Sequence, residues 1–435
     1  MTDSVLSKSR VVPQATWRRA MLLILLLPSA GFAQDAALSL DEAIALALQQ
    51  APEISAGEAG LMSAQSMLRS AGRLPDPQLI AGIDNLPANG PDSYSLTSDF
   101  MTMRKVGLAQ NFPNATKRRL QRELASANVT TSEFELQQTR LEITRGVTQA
   151  WIALASTDTA LQELRALLAD VQLQARSARS SLAAGRDSSA DALMAEMAVV
   201  QFDNRLLALE TEAHIAQAEL SRWIGQAAAR PQADMPALDQ LPASGDALRS
   251  SIHQHAYLLP LEARIAAAHT NVELAKSEKR PDWSGELTYA LRGAPYSNMV
   301  SLQFRIGLPL FARDRQDPQI AAKGADLRRL QAERESEVRM HDTQIQEMLA
   351  RWQSLGVQLT RFDKELLPLS KERHRAAMAG LSGGRGDLKA VIDAATTRGD
   401  LLIEQARLTR ERGEAWAYLR TLQSKTPQTL SGDKP

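Results

Sequence analysis

His253-x-His255 is the tightest pairing of metal-ligating side chains in the sequence, and a metal site is the first chemistry it suggests. A closed site needs more ligands, and no third one clusters nearby. The pair also falls where the first half of the chain has Gln49 and Ala51, so a structural role is favoured over ligation. Met101-x-Met103 and the Met194/Met197 pair offer thioethers suited to soft cations such as copper or silver, but methionine at helical spacing more often fills a packing face. Cysteine is absent, which excludes disulfides, thiolate metal sites and a lipid-modified cysteine. No nucleophile elbow, phosphate loop or zinc motif occurs. The residues therefore predict neither an enzyme nor a cofactor, and the question becomes what the chain builds.

The 435 residues are 44% apolar and only 4% aromatic, with 50 basic and 50 acidic side chains. Low aromatic content argues against a compact enzyme and suits long helices rich in Ala, Leu, Gln, Glu and Arg. A balanced charge gives no footing for a nucleic-acid partner. Arg18 and Arg19 precede the apolar run Met21 to Leu27, and Gly31-Phe32-Ala33 offers small residues for cleavage, so residues 1–33 read as a secretory signal peptide. That run is too short to span a membrane, which takes about 20 apolar residues as helix. No later segment reaches that length, so any membrane insertion has to come from strands.

The chain then runs through one plan twice, over 34–230 and 231–435. "DEAIALALQQ" from Asp41 is echoed by "DALRSSIHQH" from Asp246, and Pro75-Asp76 and Pro281-Asp282 end corresponding helices. Each proline is followed by two strand-like segments, "PQLIAGIDNL" and "MRKVGLAQNF" in the first half, "WSGELTYALRG" and "VSLQFRIGLPLF" in the second. In the last of these Val300, Leu302, Phe304, Ile306 and Leu308 alternate with Ser301, Gln303, Arg305 and Gly307, giving a two-faced strand. Alone, that pattern fits a half-buried soluble strand as well as a membrane strand. Trp283, Gly285, Leu287, Tyr289 and Leu291 make a similar face, whereas the first two strands alternate less cleanly. Eight of the nineteen aromatic residues lie in 77–112 and 283–311, a concentration that fits the girdles of a membrane barrel.

A very long helical segment follows each strand pair. No proline occurs from Lys117 to Ala184, and the seam Val147, Trp151, Leu154, Leu161, Leu164, Leu168, Val171, Ala175, Ala178, Leu182 advances in threes and fours, interrupted at Asp158. Gly185 to Ser189 reads as a turn, and the chain returns as a helix toward Gly225. In the second half Gln319 to Ala379 runs out, "GLSGGRGD" from Gly380 turns, and the segment from Leu388 returns; Pro368 predicts an interruption of the outgoing helix. Four strands cannot close a barrel, and an open edge is not tolerated in lipid. Three copies would supply about 12 strands, within the range of membrane barrels. The predicted fold is mainly α with a small β part: antiparallel coiled-coil hairpins forming an α-barrel, and four strands per chain contributing to a trimeric barrel.

In this order "SLDEAIALAL…APEI", "VGLAQNFP", "ELSRWIG", "RIGLPLF" and "AGLSGGRGDLKAVIDAATT" resemble the TolC-like outer-membrane efflux proteins over essentially the whole predicted mature chain. "QNFPNATKRRLQRELA" from Gln110 is most similar to the branch serving heavy-metal pumps, whose pattern there is roughly Q-x-F-P-x-x-G-K, with Thr116 here in place of the glycine. The resemblance implies an exit duct in the outer membrane, surrounded by lipid and extending into the periplasm. It implies a homotrimer that docks on a periplasmic adaptor protein and an inner-membrane pump, without a cofactor. A periplasmic adaptor and a secreted enzyme are the rival classes; an adaptor normally has a single hairpin and soluble β-domains.

The resemblance also places function at the tip. Asp191, six residues after Gly185, matches an aspartate of the family's first turn, and Asp393 one of the second. In a trimer each would form a ring of three carboxylates that draws cations. Gly386, Leu381 and Ala390 stand where the best-known member has arginine, tyrosine and aspartate, leaving Arg385 and Asp387 as candidates to replace its closing contacts. Gly185, Arg186, Gly383 and Gly384 are the candidate adaptor contacts. A plain helix-start or solvated role for the aspartates is the competing expectation.

Overall fold

The computed structural model describes residues 37–186, 188–230, 232–294 and 296–422. The expected signal peptide lies outside them. The first half opens with α1 (Leu40–Gln50), whose cap Ser39 accepts the Glu42 N–H at 3.2 Å, and α2 (Pro52–Ser70), which begins on a proline that needs no amide partner there. Strands β1 (Gln78–Asp84) and β2 (Met103–Phe112) follow, then α3 (Ala115–Ala183) and α4 (Ser189–Ile224). The second half has the short α5 (Gly245–Ser250), then α6 (Leu259–Ser277), β3 (Trp283–Leu291), β4 (Met299–Ile306) and α7 (Ala312–Arg361). A wide turn (Phe362–Leu366), α8 (Leu367–Ser382) and α9 (Leu388–Thr421) complete it.

The four strands form one antiparallel sheet in the order β1-β2-β3-β4. β4 stops at Ile306, so Leu308 is not in the strand as its alternation suggested. Gly307 donates to the Asp282 carbonyl at 3.1 Å, and Pro309 has no N–H with which to extend a ladder. The next helix begins at Ala312, earlier than the Gln319 predicted, and carries Pro318 in its second turn. Close to the helix start that substitution loses one backbone bond whose carbonyl can turn to water.

α3 has 69 residues, about 100 Å of helix at 1.5 Å per residue. The predicted seam is buried from Val147 to Ala178, while Leu182, in the last turn, is exposed. The core packs that seam on Ala195, Phe202, Leu209 and Leu220 of α4 and on Ile392, Ala395 and Leu402 of α9. Ion pairs Arg165–Glu210, Arg398–Glu163 and Arg205–Asp400 link α3, α4 and α9 at their exposed margins. Each is worth at most about 1 kcal/mol, so they fix which helices pair more than they stabilise. Asp158 is partly buried, and that burial pushes its carboxyl above the ordinary range against the pull of Arg165.

Few aromatics are present, yet three tryptophans act as straps. The indole N–H of Trp151 donates to the Leu38 carbonyl (3.1 Å), that of Trp352 to Leu238 (2.8 Å) and that of Trp416 to Gln240 (2.8 Å). They tie two irregular segments across α3, α7 and α9. The interruption expected at Pro368 takes the form of the wide turn, in which the Leu367 N–H reaches the Phe362 carbonyl five residues back.

Candidate functional site

Registry across the sheet puts nearly all its large apolar side chains on one face. Val106 stands opposite Ala81 on one side and Tyr289 on the other, Leu108 opposite Leu79 and Leu287, and Tyr289 and Leu287 opposite Val300 and Leu302. Leu79, Leu108, Val300, Leu302, Phe304 and Ile306 of this face are 57–73% exposed. A soluble sheet would cover such a face. Its helix-side margin is aromatic: Phe112 stacks on Trp283 with centroids 4.1 Å apart, and Phe304 lies 6.3 Å from Trp283. That is the girdle position of a membrane strand. The opposite face carries Asp84 paired with Lys105 (2.9 Å) and Glu286 with Arg305 (2.7 Å). None of the described helices is long and apolar enough to cross a membrane.

Where strands give way to helices, a polar joint fixes the geometry. Asp282 accepts the Asn114 N–H at 2.7 Å and takes the Lys117 ammonium at 3.5 Å, while the Asn114 side chain accepts the Lys117 N–H at 2.8 Å to cap α3. Thr116, which replaces the glycine of the metal-pump pattern, accepts from Arg280 at 2.7 Å. Sequence reading missed this joint; the repeated Pro-Asp was its only trace, because Asp282 and Asn114 are 168 residues apart.

The helix turns sit at the far ends of α3 and α8. Gly185 and Gly384 adopt φ of +68° and +67°, the left-handed conformation that closes a helix on itself. Arg186 N–H bonds the Ser181 carbonyl, and Arg385 N–H the Gly380 carbonyl. Gly185, Arg186, Gly383 and Gly384 are exposed. Ser188 caps α4: its hydroxyl accepts the Asp191 N–H (3.1 Å) and donates to the Asp191 carboxylate (2.6 Å). Asp387 caps α9 by accepting the Ala390 N–H at 2.8 Å, and among the described residues it makes no ion pair with Arg385. Asp393 is exposed one turn further along and pairs with Lys389, whose ammonium it holds above its usual range. Both tip aspartates thus have local partners, on two different hairpins.

His255 has a structural setting. It is 2% exposed, with Nδ1 3.1 Å from His341 Nε2 and Nε2 3.2 Å from the Ser251 hydroxyl; His341 Nδ1 lies 3.0 Å from the Tyr418 hydroxyl. Burial first, then His341, pushes His255 down to about 4, and burial lowers His341 as well. No cluster of three metal-ligating residues occurs among the described residues, and His253 does not join the pair.

Residues 43–226 match the family model described as outer membrane efflux protein. No curated protein matches the chain by sequence. Among solved structures it is similar to a membrane protein from Pseudomonas aeruginosa (18% identity, 88% of this chain and 90% of that one covered, TM-score 0.76). It is also similar to the outer membrane channel CmeC of Campylobacter jejuni (12% identity, 89% and 87% covered, TM-score 0.75). A third is the outer membrane protein VceC of Vibrio cholerae (19% identity, 88% and 95% covered, TM-score 0.72). The chain thus carries a bare apolar sheet face at one end of its long helices, is similar over residues 43–226 to the outer membrane efflux protein family, and shares the fold of these outer membrane proteins.

Proposed function

We propose that the protein works as a homotrimeric exit duct, docking on a periplasmic adaptor and an inner-membrane pump, and that its cargo is heavy-metal cations. The observation that carries the assembly is the bare apolar face bounded by two unpaired edges, β1 and β4, since neither edge is tolerable in lipid without a partner strand. An exposed stripe on α4, Leu193, Met197, Val200, Leu207 and Ile215, adds a helical surface for a neighbouring copy to cover. The metal-pump pattern at Gln110 to Lys117 supports the cargo. The adaptor docks on the exposed turns at Gly185, Arg186, Gly383 and Gly384, and Asp191 and Asp393 lie just inside the mouth, with Arg385 and Asp387 as the remaining charged gate candidates.

Deletion of the gene sensitises the cell to divalent or soft metal ions while the purified trimer binds none of them tightly. Sensitisation to organic drugs alone, or loss of a secreted polypeptide, would move the cargo to a drug pump or a type I secretion system. In planar bilayers Asp393→Asn lowers cation selectivity or conductance with assembly intact, because three ring charges are lost. Unchanged recordings would return Asp393 to its local pairing with Lys389.

A further inference from the structure

The chain already makes, once within itself, the seam that its two open edges require. Between the halves β2 meets β3 with Val106 opposite Tyr289, Gly107 opposite Thr288 and Gln110 opposite Gly285. Each half contributes a first strand preceded by Pro-Asp and a second strand followed by proline. Setting Asp76 on Asp282 aligns Gln78 with Ser284; their hairpin partners, Ala109 and Arg305, then align too. Continued along the second strands, that alignment brings Pro113 onto Pro309 and Lys117 onto Arg313, neither of which was used to set it.

Carried over to the open edges, the β2–β3 register becomes a β4–β1 register. Leu302 then faces Ile83 of the next copy, Gln303 faces Gly82, Phe304 faces Ala81 and Ile306 faces Leu79. Leu302, Phe304 and Ile306 of the exposed apolar face each meet a residue of the same face, while Val300 falls opposite Asn85, just past the end of β1; a one-residue slip would put the three on the wrong side. The joint is copied as well. Asp282 holds Lys117 within the chain; Asp76 and Arg313, in the matching places, are both exposed and have no side-chain partner among the described residues. Leu310 replaces Asn114, so the amide is lost from the copy and the charge pair remains.

We propose that a second copy of the chain docks its β1 edge on β4 in this register, with Leu302 opposite Ile83 of the next copy, and that Asp76 of that copy closes an ion pair on Arg313. The inference rests on the homotrimer reading and adds the register and the latch. The chain has no cysteine, so paired cysteines read the seam without background. Directly opposed residues lie about 4.5–5.5 Å apart, within disulfide reach, and residues offset by two do not. Oxidised in outer membranes, Gln303→Cys with Gly82→Cys gives a covalent dimer and trimer ladder, at least tenfold more than Gln303→Cys with Ile80→Cys or with Asp84→Cys. A ladder strongest at an offset pair overturns the register and leaves the trimer standing. A protein that runs as a monomer in mild detergent, with no ladder for any pair, overturns the trimer itself. For the latch, Asp76→Arg lowers the fraction of trimer surviving mild heating in detergent, and adding Arg313→Asp restores it. Equal losses in the single and double variants would show that the two side chains do not meet.

Discussion

The buried His255–His341 pair makes the local stability of its segment depend on acid, and the size of the effect follows from the structure. His255 ionises near 4 in the folded chain and near 6.5 when exposed, so between those values the opened segment binds more protons than the closed one. Stability contributed by the neutral imidazole is complete above about pH 6.5, falls as the pH drops toward 4 and is gone below it. A gap of 2.5 pH units is worth about 3 kcal/mol, or about 300-fold in the opening equilibrium. The surroundings do not rescue the cation: Ser251, His341 and Tyr418 form a neutral chain, and Arg145 over the Tyr257 and Tyr418 rings adds positive charge. Asp342, on the far side of His341, is already held by Arg249. His255→Asn keeps a polar group toward His341 and removes the titration. Hydrogen exchange over 244–258, corrected for intrinsic rates and followed from pH 7 to pH 4, where half of the folded His255 is already protonated, shows protection falling about 100-fold more in the parent than in this variant. Parallel pH slopes would refute the burial argument, whatever the offset between the two lines.

Leu302→Arg places a charge near the middle of the exposed apolar face and costs about 2 to 4 kcal/mol per copy, while Ser301→Arg on the opposite face is tolerated; refolding yield into lipid vesicles separates them, and equal yields would contradict the face assignment. Gly384→Ala forces a side chain into φ +67° and destabilises the turn by about 1–2 kcal/mol, seen as faster proteolytic nicking at 380–387, whereas Gly383→Ala, at negative φ, is nicked at the parent rate. Trp416→Phe leaves the Gln240 carbonyl without its indole donor and costs about 1–3 kcal/mol, read as loss of exchange protection around 238–241.

Much of the architecture was legible because its signals are local. Alternation from Val300 to Ile306 and from Trp283 to Leu291 identifies two strand faces without any partner. β1 and β2 were harder to read: Gly82 and Gly107 have no side chain to mark a face, and Arg104 sits on the apolar side at its rim. The tip turns were plain because glycine marks positive φ, whereas the helix-start role considered for Asp191 and Asp393 belongs to Ser188 and Asp387, which cap α4 and α9. Boundaries failed at prolines: Leu308 continued the alternation although Pro309 ended the ladder, and a helix start placed at Gln319 left Pro318 outside a helix that tolerates it. The polar joint and the histidine chain stayed hidden because their members are far apart in sequence, 86 residues for His255 and His341. The tip carboxylates were legible as residues, and the structure adds that Ser188 and Lys389 engage them.

The wide turn at Phe362–Leu366 has a consequence for chain length. Such a turn takes up one residue more than an α-helical turn, so α7 and α8 follow one another in space while their apolar rhythms, counted along the sequence, are one beat out of step. Alignments to relatives with an unbroken helix here therefore open a single-residue gap, and heptad positions assigned above the turn do not extrapolate below it. Removing one residue between Phe362 and Leu366, together with Pro368→Ala, is accordingly a repair of the helix, one that shortens the chain and leaves the residues of the tip facing as they do now.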